Sequence, residues 1–408
     1  MAGTAPVTHR QTVLGWRRAL ALSWIAYLTY YFPRLAFAVA KLGLLGDPAA
    51  PLSRAAMGVL DGLFLTLYAL GQFIWGAAGV RLGPRILVPA GLVLAAGAAG
   101  LMAKAQTLSI FLVAMTIQGI AQSTGWPVLC LDVVRRVPAT ARGTAFGVLS
   151  TSYVAGGLIA PPLLGWFAYS VFATWRAAFL VAAGVALCVA ALYWFATSEH
   201  GASTESSLTV KQPAGRAMLA ALRDRDVQVL ALADFLAKPA LYAIQFWGPV
   251  MAAEWLRQGP VVATFVAAAF SLAGLAAPVV AGILSDRQGR RRPVVITGLL
   301  LCAVLLLILP FIAQTAQVLA VALGFFAIGL AFYGSESLLT GVAAAERGAA
   351  NSDASAAVGV VNGVGSLGAI LGGMLPGYVH GPALFNGLAV ACAGAALLLV
   401  IAGRHAQA

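Results

Sequence analysis

Gly282-Ile283-Leu284-Ser285-Asp286-Arg287-Gln288-Gly289-Arg290-Arg291-Arg292 is a short basic turn between two long apolar runs. Its spacing, Gly-x3-Asp-Arg-x-Gly-x-Arg, also occurs 206 positions earlier as Gly76-x3-Val80-Arg81-x-Gly83-x-Arg85. A second set of matches, offset by 212, aligns Ala145-x-Gly147-Val148, Gly156 and Gly165 with Ala357-x-Gly359-Val360, Gly368 and Gly377. Two offsets this similar, both running through apolar sequence, describe one unit used twice.

The unit is a membrane unit. Hydrophobic residues make up 61% of the 408 residues and charged residues 9%, and mean hydropathy is +0.92, a composition outside the range of water-soluble domains. Apolar stretches of the ~20 residues needed to cross a bilayer lie near 19–45, 56–80, 85–104, 108–132, 143–170, 174–196, 227–252, 260–285, 293–313, 318–343, 354–379 and 382–403. The predicted fold is therefore an all-α membrane protein with twelve transmembrane helices in two six-helix halves. Residues 1–18 form a polar tail, 19–196 the first half, 197–226 a linker, 227–403 the second half and 404–408 a second tail. Ser203, Thr204, Ser206, Ser207 and Thr209 make the linker flexible, and Arg216 to Asp226 reads as a short interfacial helix. No small-residue cleavage site follows the first apolar run, so no cleavable signal peptide is expected.

Lys and Arg orient the bundle, because short loops rich in them stay cytoplasmic. With both termini inside, eighteen cations are cytoplasmic and five, Lys41, Arg54, Lys104, Arg176 and Arg257, are outside; Arg34 and Lys238 are intramembrane, which completes the 25. The net charge of +12 is thus positive-inside bias and leaves no basic cluster for nucleic acid. Cys130, Cys188, Cys302 and Cys392 all fall inside predicted helices, without disulfide or metal-ligand spacing. No cofactor, metal or enzymatic constellation is expected, and no Gly-x4-Gly-Lys-[Ser/Thr] phosphate loop occurs. An Ala/Gly/Arg-rich, Lys-poor composition points to a bacterial inner membrane.

The intramembrane charges carry the chemistry. A guanidinium near the bilayer centre costs at least ~2.5–3.5 kcal/mol, so Arg34 must face protein or water and meet an anion there: a substrate, or Glu336 or Asp234. Lys238 falls near the middle of the seventh span, with Asp234 one turn nearer the cytoplasm and Glu336 of the tenth span at about that same depth. Asp234 and Lys238, four residues apart, admit two readings, a charge-neutralising ion pair or a role in substrate binding or coupling. Glu336 is the stronger coupling candidate, because a carboxylate in a partly dry cavity can bind and release a proton. Asp61 lies a turn or two inside the outer end of the second span and reads as wetted from outside or as a coupling group. Two positive against three negative residues leave a zwitterionic substrate open, with Arg34 on its anion and Glu336 on its cation. Gln72, Gln245 and Asn362 are weaker polar candidates.

The basic turn resembles the loop signature of the major facilitator superfamily, Gly-x3-Asp-Arg-x-Gly-Arg-[Arg/Lys]. The resemblance implies two rocking halves, a central cavity lined by helices 1, 4, 7 and 10, and a conformational latch at Gly282, Asp286, Arg287, Gly289 and Arg291, with Gly76, Arg81 and Arg85 in the first copy. Val80 stands where that copy would carry the Asp. A narrower resemblance to the organophosphate:phosphate antiporters runs through Tyr27-x2-Tyr30-Tyr31-x2-Arg34-x2-Phe37, Pro84-Arg85-x3-Pro89-Ala90-Gly91-Leu92, Gln122-x2-Gly125-Trp126-Pro127, Arg142-Gly143, Gly156-Gly157 and Pro161-Pro162. Trp247-x-Pro249 and Ile328-Gly329-x3-Tyr333-Gly334 continue it. It implies that Arg34 is a phosphate-binding arginine and that Tyr27, Tyr31, Trp126 and Tyr333 line the cavity. The family's second-helix lysine falls on Gln72, its fifth-helix histidine on Tyr153 and its second phosphate-binding arginine on Leu241. Half of a symmetric clamp for a dianion is therefore missing.

The reading that emerges is a secondary active transporter, an antiporter or symporter, of a small organic anion, phosphorylated or carboxylated. It works by alternating access with a proton or phosphate as the second ion, and as a monomer. Substrate contacts are expected from Arg34, Tyr27, Tyr31, Gln72, Trp126, Tyr153, Lys238 and Tyr333, and coupling from Glu336, Asp234 or Asp61. Two alternatives stand beside it: a drug or metabolite exporter, against which seven Met and a buried Arg speak, and a transport-dead membrane sensor on the same fold.

Overall fold

The computed structural model describes residues 9–48, 50, 52–138, 141–198, 214–343 and 354–405. Residues 1–8, half of the linker (199–213, with Ser203, Thr204, Ser206, Ser207, Thr209 and Lys211), and residues 344–353 with Arg347 lie outside the described residues.

The helices are α1 (His9–Leu44), α2 (Arg54–Lys104), α3 (Leu108–Gln122), α4 (Gly125–Arg136), α5 (Arg142–Trp166), α6 (Arg176–Ser198) and α7 (Ala214–Arg223). They continue as α8 (Arg225–Leu256), α9 (Pro260–Ala273), α10 (Ala277–Gln288), α11 (Arg292–Gln314), α12 (Val318–Glu336), α13 (Ala354–Met374) and α14 (Pro382–His405). Single π-helical stretches extend α5 over Phe167–Val171 and α12 over Ser337–Ala343. Where polar groups meet helix starts they cap them: Ser53 Oγ accepts from Ala56 N, Thr107 Oγ1 from Ile110 N, and Asp224 from Asp226 N and Val227 N.

Among the described residues, eleven helical segments are long and apolar enough to cross a membrane. α2 supplies two of them, Arg54–Gln72 and Arg81–Lys104, while α3 with α4 and α9 with α10 each make one broken span. α1 is not among the eleven, since Arg34, Lys41, Pro33 and several tyrosines lower its hydropathy. It is nevertheless packed inside the bundle on α5, α6 and α8 and completes the twelve.

The repeat seen in sequence has a backbone cause. Gly83 and Gly289, equivalent positions of the two copies, both adopt positive φ, +72° and +62°. Only glycine enters that region without strain, so each copy bends its chain between two spans at the same place. The halves then meet through symmetry-related contacts: the second span packs on the eleventh through α2 and α13, and the fifth on the eighth through α5 and α9. α1 and α8, the first helices of each half, meet across the pseudo-axis.

Candidate functional site

Arg34 occupies that central seam. Its position on α1 is set by Tyr30, one turn earlier, whose hydroxyl donates to the Val88 carbonyl at 3.0 Å and lies 2.8 Å from Thr124 Oγ1, and whose carbonyl accepts from Gln122 Nε2 at 2.9 Å. The Arg34 side chain is 7% exposed. Its guanidinium sits among four rings, 4.4 Å from the centre of Tyr68, 5.3 Å from Tyr31, 5.5 Å from Phe64 and 5.9 Å from Tyr242. Nη2 donates to Tyr242 Oη at 3.3 Å, and Nε meets no acceptor among the described residues. No carboxylate is within ion-pair distance among the described residues, so neither Glu336 nor Asp234 serves as its counter-ion. Ring faces attract the cation by roughly 0.5–2 kcal/mol each, which holds the guanidinium without neutralising it.

The aromatic surface extends along α1. Tyr27 lies 4.9 Å from Trp126 and 6.0 Å from Tyr31, and Trp126 stands edge-on to Tyr153 at 6.4 Å. The α3–α4 break at Ser123–Thr124 lets Trp126 turn toward these rings. Trp126, Tyr153, Tyr242 and Gln245 all keep part of their surface exposed although they sit inside the bundle. Tyr333 is buried against Phe270, 5.1 Å between ring centres. Gln72 is half-buried and makes no hydrogen bond to another described residue.

On α8, Lys238 and Asp234 form an ion pair at 2.9 Å, and Lys238 Nζ also donates to Asn362 Oδ1 at 3.3 Å. The pair is pressed between helices. A Cβ on Gly365 of α13 would lie 1.8 Å from Asp234 Oδ2 and 3.0 Å from Lys238 Nζ. Glu336, at the end of α12, is half-buried and within electrostatic reach of Lys238, Asp234, Tyr153, Tyr242 and Tyr333. It forms no ion pair among the described residues.

Two sequence expectations are corrected at the other end of the seam. Lys41, counted with the outer cations although it falls within the first apolar stretch, is buried in α1 with no exposed surface. Asp61 is not wetted, being 3% exposed and ion-paired with Lys41. Lys41 Nζ also donates to the Phe246 carbonyl at 3.1 Å and lies 3.9 Å from the Trp247 ring centre, so it joins α1 and α2 to α8. Nearby, Arg54 pairs with Glu254 and donates from Nε to the Pro376 carbonyl at 3.1 Å. Gly58 faces Met374 and Gly377 across the same boundary, with a Cβ there reaching 2.6 Å from the Met374 carbonyl. This end of the two halves is clamped shut.

Among the latch residues, Asp286 and Arg287 are exposed at the end of α10, where Gly289 N donates to the Asp286 carbonyl at 3.2 Å. Arg85 lies 5.5 Å from the Trp194 ring centre, Arg81 is exposed, Arg291 is half-buried, and Gly76 and Gly282 lie within α2 and α10. Sequence reasoning missed Phe64, Tyr68, Tyr242 and Lys41. A signal existed for the first two, since Asp61, Phe64 and Tyr68 fall on one helical face at i, i+3 and i+7. For Tyr242 the signal was its place four residues after Lys238.

The Major Facilitator Superfamily model matches residues 19–257 and 252–407, and the chain belongs to that superfamily. It is 27% identical to the membrane sensor protein UhpC of Escherichia coli (strain K12), over 94% of this chain and 92% of that protein. It is 24% identical to the glucose-6-phosphate exchanger SLC37A2 of Xenopus laevis, over 79% and 74%. The fold matches that of a bacterial homolog to the human lysosomal transporter Spinster, in an inward-facing and unoccupied conformation, with a TM-score of 0.73 at 18% identity over 98% and 96% of the two chains.

Proposed function

We propose that this chain is a secondary active transporter of a small organic anion, phosphorylated or carboxylated, in which Arg34 receives the anionic group. One observation carries the reading: a buried guanidinium held by four rings and one hydroxyl, with no carboxylate in ion-pair distance among the described residues. A charge left unneutralised at that depth is an expense a purely structural arginine avoids. The likeness to a glucose-6-phosphate exchanger supports an anionic cargo moved by exchange, and phosphate or a proton is the second ion of this reading. Residues 19–196 and 227–403 are the two moving halves, 197–226 their linker, and both termini are cytoplasmic. With Lys41 buried, the cation bias becomes eighteen inside against four outside. The clamped end is then the outer face, and Trp126, Tyr153, Asn362 and Glu336 face a cavity reached from the cytoplasm.

Proteoliposome uptake of labelled organic phosphates and carboxylates, with and without internal phosphate, tests this. Arg34→Lys keeps the charge but loses the planar fork and its stacking; with Arg34→Ala it is expected to lower uptake at least about 100-fold, the scale of losing a charge-assisted pair. Transport of every tested anion surviving Arg34→Ala overturns the reading. The likeness to a membrane sensor favours a second reading, ligand binding without flux; anion binding that depends on Arg34 in a protein that moves no anion identifies it.

A further inference from the structure

Four charged side chains lie in the seam between the halves, Arg34, Lys238, Asp234 and Glu336, and the structure sorts them into paired and unpaired. Lys238 and Asp234 neutralise one another at 2.9 Å. Their geometry is built in: Asn362 Oδ1 accepts from Lys238 Nζ at 3.3 Å, and α13 passes so close at Gly365 that any side chain there would displace the Asp234 carboxylate. The other intramembrane cation of the seam, Lys41, is likewise committed to Asp61. Arg34 and Glu336 remain, one positive and one negative, neither in an ion pair among the described residues, Glu336 lying within electrostatic reach of a Lys238 that is already bound to Asp234. They stand on opposite halves of the protein, α1 and α12, with Tyr31, Tyr242, Tyr153 and Tyr333 forming the polar and aromatic surface between them.

We infer that the ligand of this site is a small zwitterion, with its anionic group on Arg34 and an ammonium on Glu336 between the tyrosine rings of the second half. The inference rests on the transport reading above and names its substrate class. A dianion such as a sugar phosphate needs a second free cation, and Leu241 stands where the resembled antiporters carry one, while Lys238 is already neutralised. Placed here, its second negative charge would face Glu336 uncompensated in a weakly solvated cavity, where charges must be paired. An ammonium reverses that term. It neutralises Glu336 and meets aromatic faces, which attract cations. A ligand with both charges also bridges the two halves, so binding itself favours their approach.

The test uses the purified full-length protein in lipid nanodiscs and measures dissociation constants for probe pairs that differ only in an amine. The pairs are phosphoethanolamine and ethyl phosphate, taurine and ethanesulfonate, β-alanine and propionate, with glucose 6-phosphate as the amine-free dianion. The amine-bearing member of each pair that binds is expected to bind at least about tenfold more tightly, the scale of one hydrogen bond to a charged group. Glu336→Gln, which keeps the shape, is expected to shrink that ratio to about twofold or less, and Arg34→Gln to remove binding of both members. Equal or tighter binding of the amine-free members, or an amine preference that persists in Glu336→Gln, overturns the zwitterion assignment. If the amine-free anions bind and Arg34→Gln abolishes it, the anion-transport reading survives that failure. Binding indifferent to Arg34, or no binding by any probe, overturns both. A Glu336→Gln protein that keeps its amine preference and loses only pH-driven uptake makes Glu336 a proton carrier and sinks the ammonium contact.

Discussion

A buried cation in this protein is held in one of two ways, and the difference separates architecture from binding. Lys41 has a carboxylate, a backbone carbonyl and an aromatic face, so its charge is neutralised within the protein. Arg34 has rings and one phenol oxygen, so part of its capacity is open. The first arrangement predicts a stability phenotype. Lys41→Met leaves Asp61 charged and buried, and is expected to cost about 3–5 kcal/mol in unfolding of the detergent-solubilised protein, most of it recovered in Lys41→Met/Asp61→Leu. A double variant as unstable as the single one would mean that the pair is not what Lys41 contributes. Thermal or denaturant unfolding of the purified variants reads this directly.

At the scale of elements, the charges are placed by how closely α13 approaches α8. Gly365, Gly368 and Gly372 recur on one face of α13 and bring it against Asp234, the Phe235 carbonyl and the Pro239 carbonyl. Without a hydrophobic drive between helices in lipid, close backbone contact of this kind supplies much of the association. Gly365→Ala inserts a methyl group into the space of the Asp234–Lys238 pair and is expected to destabilise the protein by about 1–3 kcal/mol, as overpacking does, and to lower ligand affinity. Gly359→Ala on the same helix meets only the end of Met218, at 3.7 Å, and serves as the control with little effect. Equal effects of the two substitutions in unfolding and ligand titration would remove the special role of position 365.

For the whole molecule, the relevant motion is one half against the other. Arg54–Glu254, Arg54 to the Pro376 carbonyl, and Gly58 against Met374 and Gly377 all cross between halves at the clamped end. These contacts exist only while that end is shut. Arg54–Glu254 is partly exposed and contributes little energy by itself, whereas the glycine contact is steric. Gly58→Leu therefore leaves each half intact but prevents this closure. The expected result is a monodisperse protein that still binds ligand while counterflow exchange falls at least about tenfold, since alternating access needs both closed states. Undiminished exchange in Gly58→Leu would show that closure at this boundary is dispensable.

The class of fold is legible in the amino-acid order, because the signals for it are local or additive. Span length, the positive-inside census and a basic turn repeated with glycines at equivalent places need no knowledge of what touches what, and Gly83 and Gly289 confirm the turn by their shared positive φ. That order also singled out Arg34, Asp234, Lys238 and Glu336, since any charge in an apolar run is conspicuous. It did not separate the paired charges from the unpaired. Whether Lys238 spends its charge on Asp234, whether Asp61 meets water or Lys41, and whether Arg34 finds a carboxylate all depend on distances between helices far apart in the chain. Those distances are set by packing, by Gly365 beneath the Asp234–Lys238 pair and Tyr30 beneath Arg34. A lysine near a helix end, such as Lys41, counts from sequence as an outer cation until a neighbouring helix buries it. The tertiary structure alone decided which charges are left for a ligand, because in a low-dielectric interior the energy of a charge is set by its nearest partner.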